Sequence, residues 1–444
     1  MTPRGGVATN PGGPGLHSED EGESHILALT TMDSSTASDR RLIYRPFLER
    51  LNQSSVGTLG AQNLIVSPEH DPRDPDEPPI HAAFANAAEL NRGSQMALVG
   101  GIGSGKTTEL WLTMKLLKRH ADAVNVFIDL AELTDLNELN PGALLIAAGL
   151  QLYLKVKKLQ RTDSVTAAYQ KLKALASGGT KWVEADGPEY EEYEPDDQPA
   201  MMPIHTPPLL KPRFPAIQRQ VADVQALVAE VIPTLLEADA QITIIIDGLD
   251  RLIKPDRFRE FVEQDLRAFR DFPISVIVAA PLSLWFDKTR FLQDYFDEMR
   301  HIPAAIADPG ESTFLRDILI RRGAEEVMGG TEVDEIARSS GGVLRDVITL
   351  ARASAQTAYR EDKDRIGPDH VRSAVRRLGK RYLVGLGRSH RNRIRRLLEN
   401  DEFSLDAPQS IELLINRQVL EHFIQGRDTF AVHPALVEVL EEPA

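Results

Sequence analysis

The residues Gly100-Gly101-Ile102-Gly103-Ser104-Gly105-Lys106-Thr107 follow the pattern G-x-x-x-x-G-K-[ST]. Each fixed residue type has a physical task. Glycines let the backbone wrap a polyphosphate with its N–H groups turned inward, and a helix starting at the end of the loop adds partial positive charge. A lysine there reaches the β- and γ-phosphates, and the hydroxyl of Thr107 is placed to ligate Mg²⁺. Such a loop needs a buried strand before it and a helix after it. Met96–Val99 reads as the strand and Thr108–Leu117 as the amphipathic helix. A glycine-rich turn with an incidental lysine would lack that setting. Gly100 through Thr108 is therefore the expected phosphate-binding segment, for a nucleoside triphosphate with magnesium.

A second chemical signal lies about 140 residues on. The β-branched run Ile242–Ile246 reads as a buried strand and ends in Asp247-Gly248-Leu249-Asp250-Arg251. A carboxylate at such a strand tip, beside the phosphate loop, holds Mg²⁺ through its water shell. Asp247 is the candidate for that role. Asp250 has two open readings, a group that polarises the attacking water or a helix N-cap and surface acid.

Taken together, Gly100–Thr107 and the D-G-L-D strand end resemble the STAND branch of the AAA+ NTPases, its NACHT-like members above all. The resemblance spans roughly residues 41 to 444. It implies an α/β fold: a P-loop NTPase (AAA+/STAND) parallel sheet core, a helical lid domain and a C-terminal winged helix. It also implies ATP and Mg²⁺ as ligands, Asp247 serving the metal and the later acid serving hydrolysis. Three departures point to slow turnover or to binding alone. Arg251 replaces the family's final acid, Gly248 stands where many AAA+ enzymes carry Glu, and Val278-Ala279-Ala280-Pro281 offers no polar sensor, leaving Ser283 as the nearby candidate.

The resemblance continues in Ser339-Ser340-Gly341-Gly342-Val343-Leu344-Arg345-Asp346-Val347, which looks like the S-G-G-x-x-R start of a lid helix in initiator-type AAA+ ATPases. It implies that Arg345 reaches the γ-phosphate, a task for which a guanidinium fork is suited. The alternative is a Gly-Gly helix start with an exposed Arg–Asp pair. Near the C-terminus, Ser410–Val419 would be the winged-helix recognition helix. Leu420–Ile424 and Thr429–Val432 would be wing strands around Gln425–Asp428. His433 lies where STAND proteins carry a histidine that contacts bound ADP; a capping or packing histidine is the competing reading.

These elements sit in a chain of 444 residues, long enough for two or three domains. Residues 1–40 are rich in Gly, Pro, Ser, Thr and Asp and read as a disordered segment, and a helical pattern begins at Arg41. Residues 41–308 are the expected NTPase core, with an acidic, proline-rich insertion at 177–212. Within that core, helices at His81–Leu90, Pro141–Val156, Ala216–Leu236 and Phe258–Phe269 alternate with strands at Val124–Leu130, Ile242–Ile246, Ile274–Ala280 and His301–Ala305. That alternation predicts a parallel, doubly covered sheet. Residues 309–380 read as the helical lid and 381–444 as the winged-helix domain.

Composition sets the remaining bounds. The sequence has no cysteine, which excludes disulfides and zinc-thiolate sites. Its apolar runs fall short of a membrane span, and a cytoplasmic location is expected. A net charge of −15 argues against wholesale coating of nucleic acid. The basic run Arg372–Arg396 still leaves two readings, DNA contact or a solvated, acidic-partner face. Arg290 and Arg300 are positional candidates for an arginine finger toward a neighbouring subunit. The resemblance implies a nucleotide-dependent homo-oligomer, in a bacterial stress or phage-defence system that works through a separate effector protein. The rival reading is a DNA-binding AAA+ initiator or transposition-type regulator.

Overall fold

The computed structural model describes residues 34–52, 62–119, 123–130, 136, 139–157, 160–176, 221–236, 241–252, 255–287 and 289–440. The expected insertion at 177–212 lies outside them, as does most of the 1–40 segment. Strands β1 (Gln95–Gly100), β2 (Ala123–Asp129), β3 (Gln241–Asp247), β4 (Ile274–Pro281) and β5 (Glu298–Ile302) form one parallel sheet. Their order is β2-β3-β4-β1-β5. A parallel sheet must be covered on both faces, and strand periodicity sorts the side chains accordingly. Met96, Leu98, Ile245, Ile277 and Ala279 face one apolar layer with α2 (Ile80–Leu90) and α3 (Lys106–Leu117). Ala97, Val99, Ile244, Ile246, Val276 and Val278 face the other, built on α4 (Ala143–Lys155), α5 (Asp163–Ala176) and α6 (Val221–Val231).

Asp265 holds this second layer together. The expected continuous helix Phe258–Phe269 is α7 (Pro255–Phe261) followed by a wider π turn at Val262–Leu266. From that turn the fully buried Asp265 accepts hydrogen bonds from the backbone N–H groups of Gly142 (2.7 Å), Leu144 (2.9 Å) and Leu145 (3.3 Å). It thereby caps the start of α4, where free N–H groups would otherwise be buried. Burial pushes its carboxyl up to about 7 against the opposing pull of those donors.

Beyond the sheet, α8 (Phe291–Tyr295) leads into β5, and helices take over. The lid comprises α9 (Phe314–Arg321), α10 (Gly330–Ser339), α11 (Leu344–Arg360) and α12 (Pro368–Leu383). The winged helix comprises α13 (Arg388–Asn400), α14 (Pro408–Ile415), β6 (Val419–Ile424), β7 (Arg427–Val432) and α15 (Pro434–Leu440). The fold is thus the expected one, a P-loop NTPase core with a helical lid and a C-terminal winged helix. Lid and winged helix share a single apolar cluster, in which Leu350, Val371 and Val375 meet Leu413, Val419 and Leu436. A Cβ at Gly379 would lie 2.0 Å from the Ala435 carbonyl oxygen, so α12 and α15 touch backbone to backbone.

Several boundaries move from their sequence positions. α1 (Ser34–Asn52) starts seven residues before Arg41, and its Tyr44, Phe47 and Leu51 join the lid cluster, not the sheet. β5 ends at Ile302 because its register follows Met96–Gly100 of β1, so Pro303–Ala305 becomes an exit loop. α14 stops at Ile415, and Val419 belongs to the wing. The wing turn narrows to Gln425 and Gly426, both with positive φ (52° and 78°), as a two-residue hairpin turn requires. Among the described residues no helix is long and apolar enough to cross a membrane.

Arg73, in the loop before α2, ties the wing to the sheet. Its guanidinium donates to Glu421 Oε1 (3.1 Å), Asp428 Oδ1 (2.6 Å) and His301 Nδ1 (2.9 Å), and lies 4.4 Å from the Phe423 ring centre. Burial, with Asp428 adding to it, pushes the Glu421 carboxyl up to about 7.

We expect Asp265→Ala to lower the unfolding free energy by about 2 kcal/mol at pH 5, since three buried donors lose their acceptor. Asp265 binds its proton more tightly folded than unfolded. Its contribution should therefore decline as pH rises from about 4 to about 7. Urea unfolding of both proteins across that range measures the difference; a gap that widens with pH contradicts the assignment.

Candidate nucleotide cleft

The loop after β1 is built around its own lysine. Lys106 Nζ donates to the carbonyl oxygens of Gly100 (2.8 Å) and Gly101 (2.9 Å), and pairs with Asp250 Oδ2 at 2.8 Å. Gly103 and Gly105 hold φ values of 86° and 111°, which a side chain would strain. Their conformation turns the loop into the start of α3, so the partial charge of the helix N-terminus faces the same concavity.

The strand tips supply the acids. Thr107 Oγ1 donates to Asp247 Oδ2 at 2.6 Å, and the Gly248 N–H donates to Asp247 Oδ1 at 2.9 Å. Burial raises the Asp247 pKa, with neighbouring Asp250 and Asp129 adding to the rise and the Thr107 bond opposing it. Asp129 was not singled out from the sequence. It ends β2 directly opposite Asp247 in the parallel register. The signal was present in the matched strand ends Phe127-Ile128-Asp129 and Ile245-Ile246-Asp247.

Beside these groups lies a cleft of about 1150 Å³ between sheet and lid; Asp247 does not line it but is bonded to Thr107, which does. Ile102 through Thr108, Asp129, Asp250, Arg251 and Arg345 line its polar end. Leu64, Val66, Ile80, Ile318 and Ile348 supply apolar wall. Arg345 stands on the first turn of α11, and a Cβ on Gly103 would come within 2.8 Å of Arg345 Cβ. The lid therefore rests directly on the phosphate loop. Burial lowers the Arg345 pKa, Arg417 and Arg251 reinforce this, and Asp346 and Asp250 oppose it.

Other candidates fall elsewhere. His433 does not line the cleft. It is fully buried behind the lid, where its ring stands 4.5 Å from that of Tyr382 and its Nδ1 accepts from the Ala435 N–H (3.2 Å). The geometry is that of the packing and capping histidine, because its ring is enclosed by Asp346, Tyr382 and the start of the last helix. Ser283 follows β4 in a 3₁₀ turn and is not among the lining residues. Arg300 is held by Glu298 (2.9 Å), Asp71 (3.2 Å) and Glu77 (3.6 Å), whereas Arg290 is exposed with a φ of 55°.

The donor set fits a magnesium-bound nucleoside triphosphate on the observations above. Loop glycines leave room for a backbone cradle, and Lys106 offers a cation. The Thr107–Asp247 contact places a hydroxyl and a buried carboxylate where a divalent cation would relieve their crowding with Asp129 and Asp250.

No family model matches the chain, and no curated protein matches it. Among solved structures, the Aeropyrum pernix ORC1 protein in complex with DNA aligns with a TM-score of 0.41 at 16% identity, covering 85% of this chain and 95% of that one. Drosophila ORC bound to DNA aligns with a TM-score of 0.41 at 13% identity, covering 98% and 97%. The Thermotoga maritima RuvB branch migration motor aligns with a TM-score of 0.37 at 14% identity, covering 82% and 93%. Likeness at this level carries no functional inference, and the fold class rests on the strand order and loop geometry already described.

Proposed function

We propose that this chain binds ATP with Mg²⁺ in the cleft and hydrolyses it slowly, acting as a nucleotide-dependent switch. The observation that carries the reading is that two close pairs, Thr107 with Asp247 (2.6 Å) and Lys106 with Asp250 (2.8 Å), stand at the end of one glycine loop. Gly103–Thr108 would cradle the phosphates, and Thr107 and Asp247 would hold the metal. Bound magnesium would neutralise charge on the β- and γ-phosphate oxygens. Lys106 would exchange its Asp250 partner for phosphate, which releases the Asp250 carboxylate to orient water. Arg345 would add positive charge from the lid. Arg251, in place of a further acid, supports slow turnover.

The same reading extends to the STAND type: a cytoplasmic switch, assembling on nucleotide exchange and signalling through a separate effector in stress or phage defence. Its support is the D-G-L-D strand end together with a lid that touches the phosphate loop.

A DNA-binding regulator is the second reading, and a surface observation favours it. Lys380, Arg381, Arg388, Arg391, Arg395 and Arg396 are exposed on consecutive helices α12 and α13. Two others of the basic run are tied to neighbouring helices: the exposed Arg377 donates to Thr357 Oγ1 (2.7 Å), and the half-buried Arg393 to Ser410 Oγ (3.2 Å). On this reading, affinity for a labelled duplex falls steeply with salt, log K against log[salt] having a slope of about −0.9 per phosphate contact. Replacing Arg391 and Arg395 with Glu would flatten that slope. A salt-independent or undetectable interaction leaves the switch reading alone.

For the chemistry itself, Lys106→Ala should abolish ATP binding. Asp250→Ala should keep or tighten binding, because it frees Lys106, while lowering kcat roughly 100-fold. Fluorescent-nucleotide titration and phosphate release measure the two quantities. Equal loss of binding in both variants contradicts the division of roles.

A further inference from the structure

The segment Ser340–Asp346 is where three parts of the molecule meet, and each contact is tight. A Cβ on Gly341 (φ 61°) would lie 2.3 Å from Leu420 Cδ1 and 2.8 Å from Pro434 Cδ, so this glycine is pressed against the winged helix. A Cβ on Gly342 (φ 87°) would lie 1.9 Å from the Ala305 carbonyl oxygen, and the Ala305 N–H donates to Gly342 O at 3.1 Å. That glycine is pressed against the loop leaving β5. Val343 and Arg345 then abut Gly103 of the phosphate loop.

Asp346 is the next residue, and its side chain is 3% exposed. Three groups converge on its carboxylate. Tyr382 Oη donates to Oδ2 at 2.5 Å from the end of α12. Arg417 Nη1 lies 3.2 Å from both oxygens, reaching in from the turn after α14, where its backbone holds a φ of 60°. His433 Nε2 stands 3.4 Å from Oδ2. Because His433 Nδ1 accepts from the Ala435 N–H, the neutral ring carries its proton on Nε2, facing Asp346. The two segments that carry Arg417 and His433 are themselves fastened: Gln418 Nε2 donates to Tyr382 O (2.8 Å), and the His433 N–H donates to Gln418 O (3.1 Å).

We propose that Asp346 is a positioning residue: its carboxylate, held by Tyr382 and Arg417 with His433 alongside, fixes the helix turn that carries Arg345 and links nucleotide in the cleft to the winged helix. The inference rests on the nucleotide-binding reading of the cleft and deepens it. Arg345 and Asp346 share one helical turn and one backbone. A shift of Arg345 toward a bound phosphate therefore drags the carboxylate against its winged-helix partners. Conversely, withdrawal of Arg417 and His433 strands a buried charge, which the lid can relieve only by moving that turn. Two arrangements follow, winged helix docked with Asp346 neutralised or undocked with Asp346 in water, and the nucleotide biases them.

Hydrogen exchange of residues 419–432 in the full-length protein, with and without Mg²⁺ and ATPγS, tests the link. Wild-type protein should change its wing exchange at least 3-fold on addition of nucleotide. Asp346→Asn should still bind ATPγS within about 3-fold of wild type, yet lose that change. Its kcat should fall about 10-fold, and combining it with Arg345→Ala should give little beyond Arg345→Ala alone, as for residues acting as a unit. Arg417→Ala, which cuts the same link from a partly exposed side, should reproduce the loss of wing response, and it decides the matter if Asp346→Asn does not fold. A wing that ignores nucleotide in wild type overturns the proposal, as does a full response in either variant or additive kinetic effects. These failures differ from failure of the cleft reading, which would show as ATPγS binding that survives Lys106→Ala.

Discussion

A carboxylate taken out of water must be met by a cation or by several hydrogen-bond donors, or it gives up its charge. This chain buries such groups at each of its junctions. Asp265 caps α4 against the sheet, Asp247 and Asp250 face the phosphate loop, Asp346 joins lid to winged helix, and Glu421 joins wing to sheet. In each case the partners come from a segment distant in sequence. The apolar layers bring those segments together without direction. The buried acids favour particular partners, because an arrangement without them leaves a buried polar group unanswered.

The cleft applies the same rule to function. Lys106 has two loop carbonyls and one carboxylate as partners, and Asp247 has Thr107 and a backbone N–H. Asp129 and Asp247 end adjacent strands with Asp250 in the turn that follows, and burial raises the pKa of Asp247, with the other two acids adding to the rise. A divalent cation and a phosphate chain would complement that arrangement in sign, on the reading proposed above: the metal would answer the acids, and the phosphates Lys106 and Arg345. The lid takes part from the start because glycine at 103 leaves no atoms between the loop and Arg345. The glycine on the loop side of that contact lets Val343 and Arg345 approach its backbone closely.

Much of this was legible in the chain. The phosphate loop and its flanks, the β-branched strand ending in Asp247 and the helical block after residue 310 followed from periodicity and spacing, since strand and helix repeats are local properties. The hairpin at Gln425–Gly426 was likewise written in its turn residues. Asp129 carries no such signal on its own, because an acid at a strand end is commonplace until the register sets it opposite Asp247. The resemblance puts His433 near the phosphates, whereas the packing of α15 on α12 carries it beside Asp346. The helix α1 reads as a prelude to the core, but its apolar face matches the lid.

The sequence by itself determined which segments are strands and helices, where the phosphate loop lies and which residue types can meet a polyphosphate, because these depend on neighbours a few positions apart. Only the tertiary structure decided which acids share a site, which arginine faces the cleft and which histidine faces away from it. Those outcomes depend on strand order and on the shared lid and winged-helix core, where residues 70 to 350 positions apart settle each other's charge.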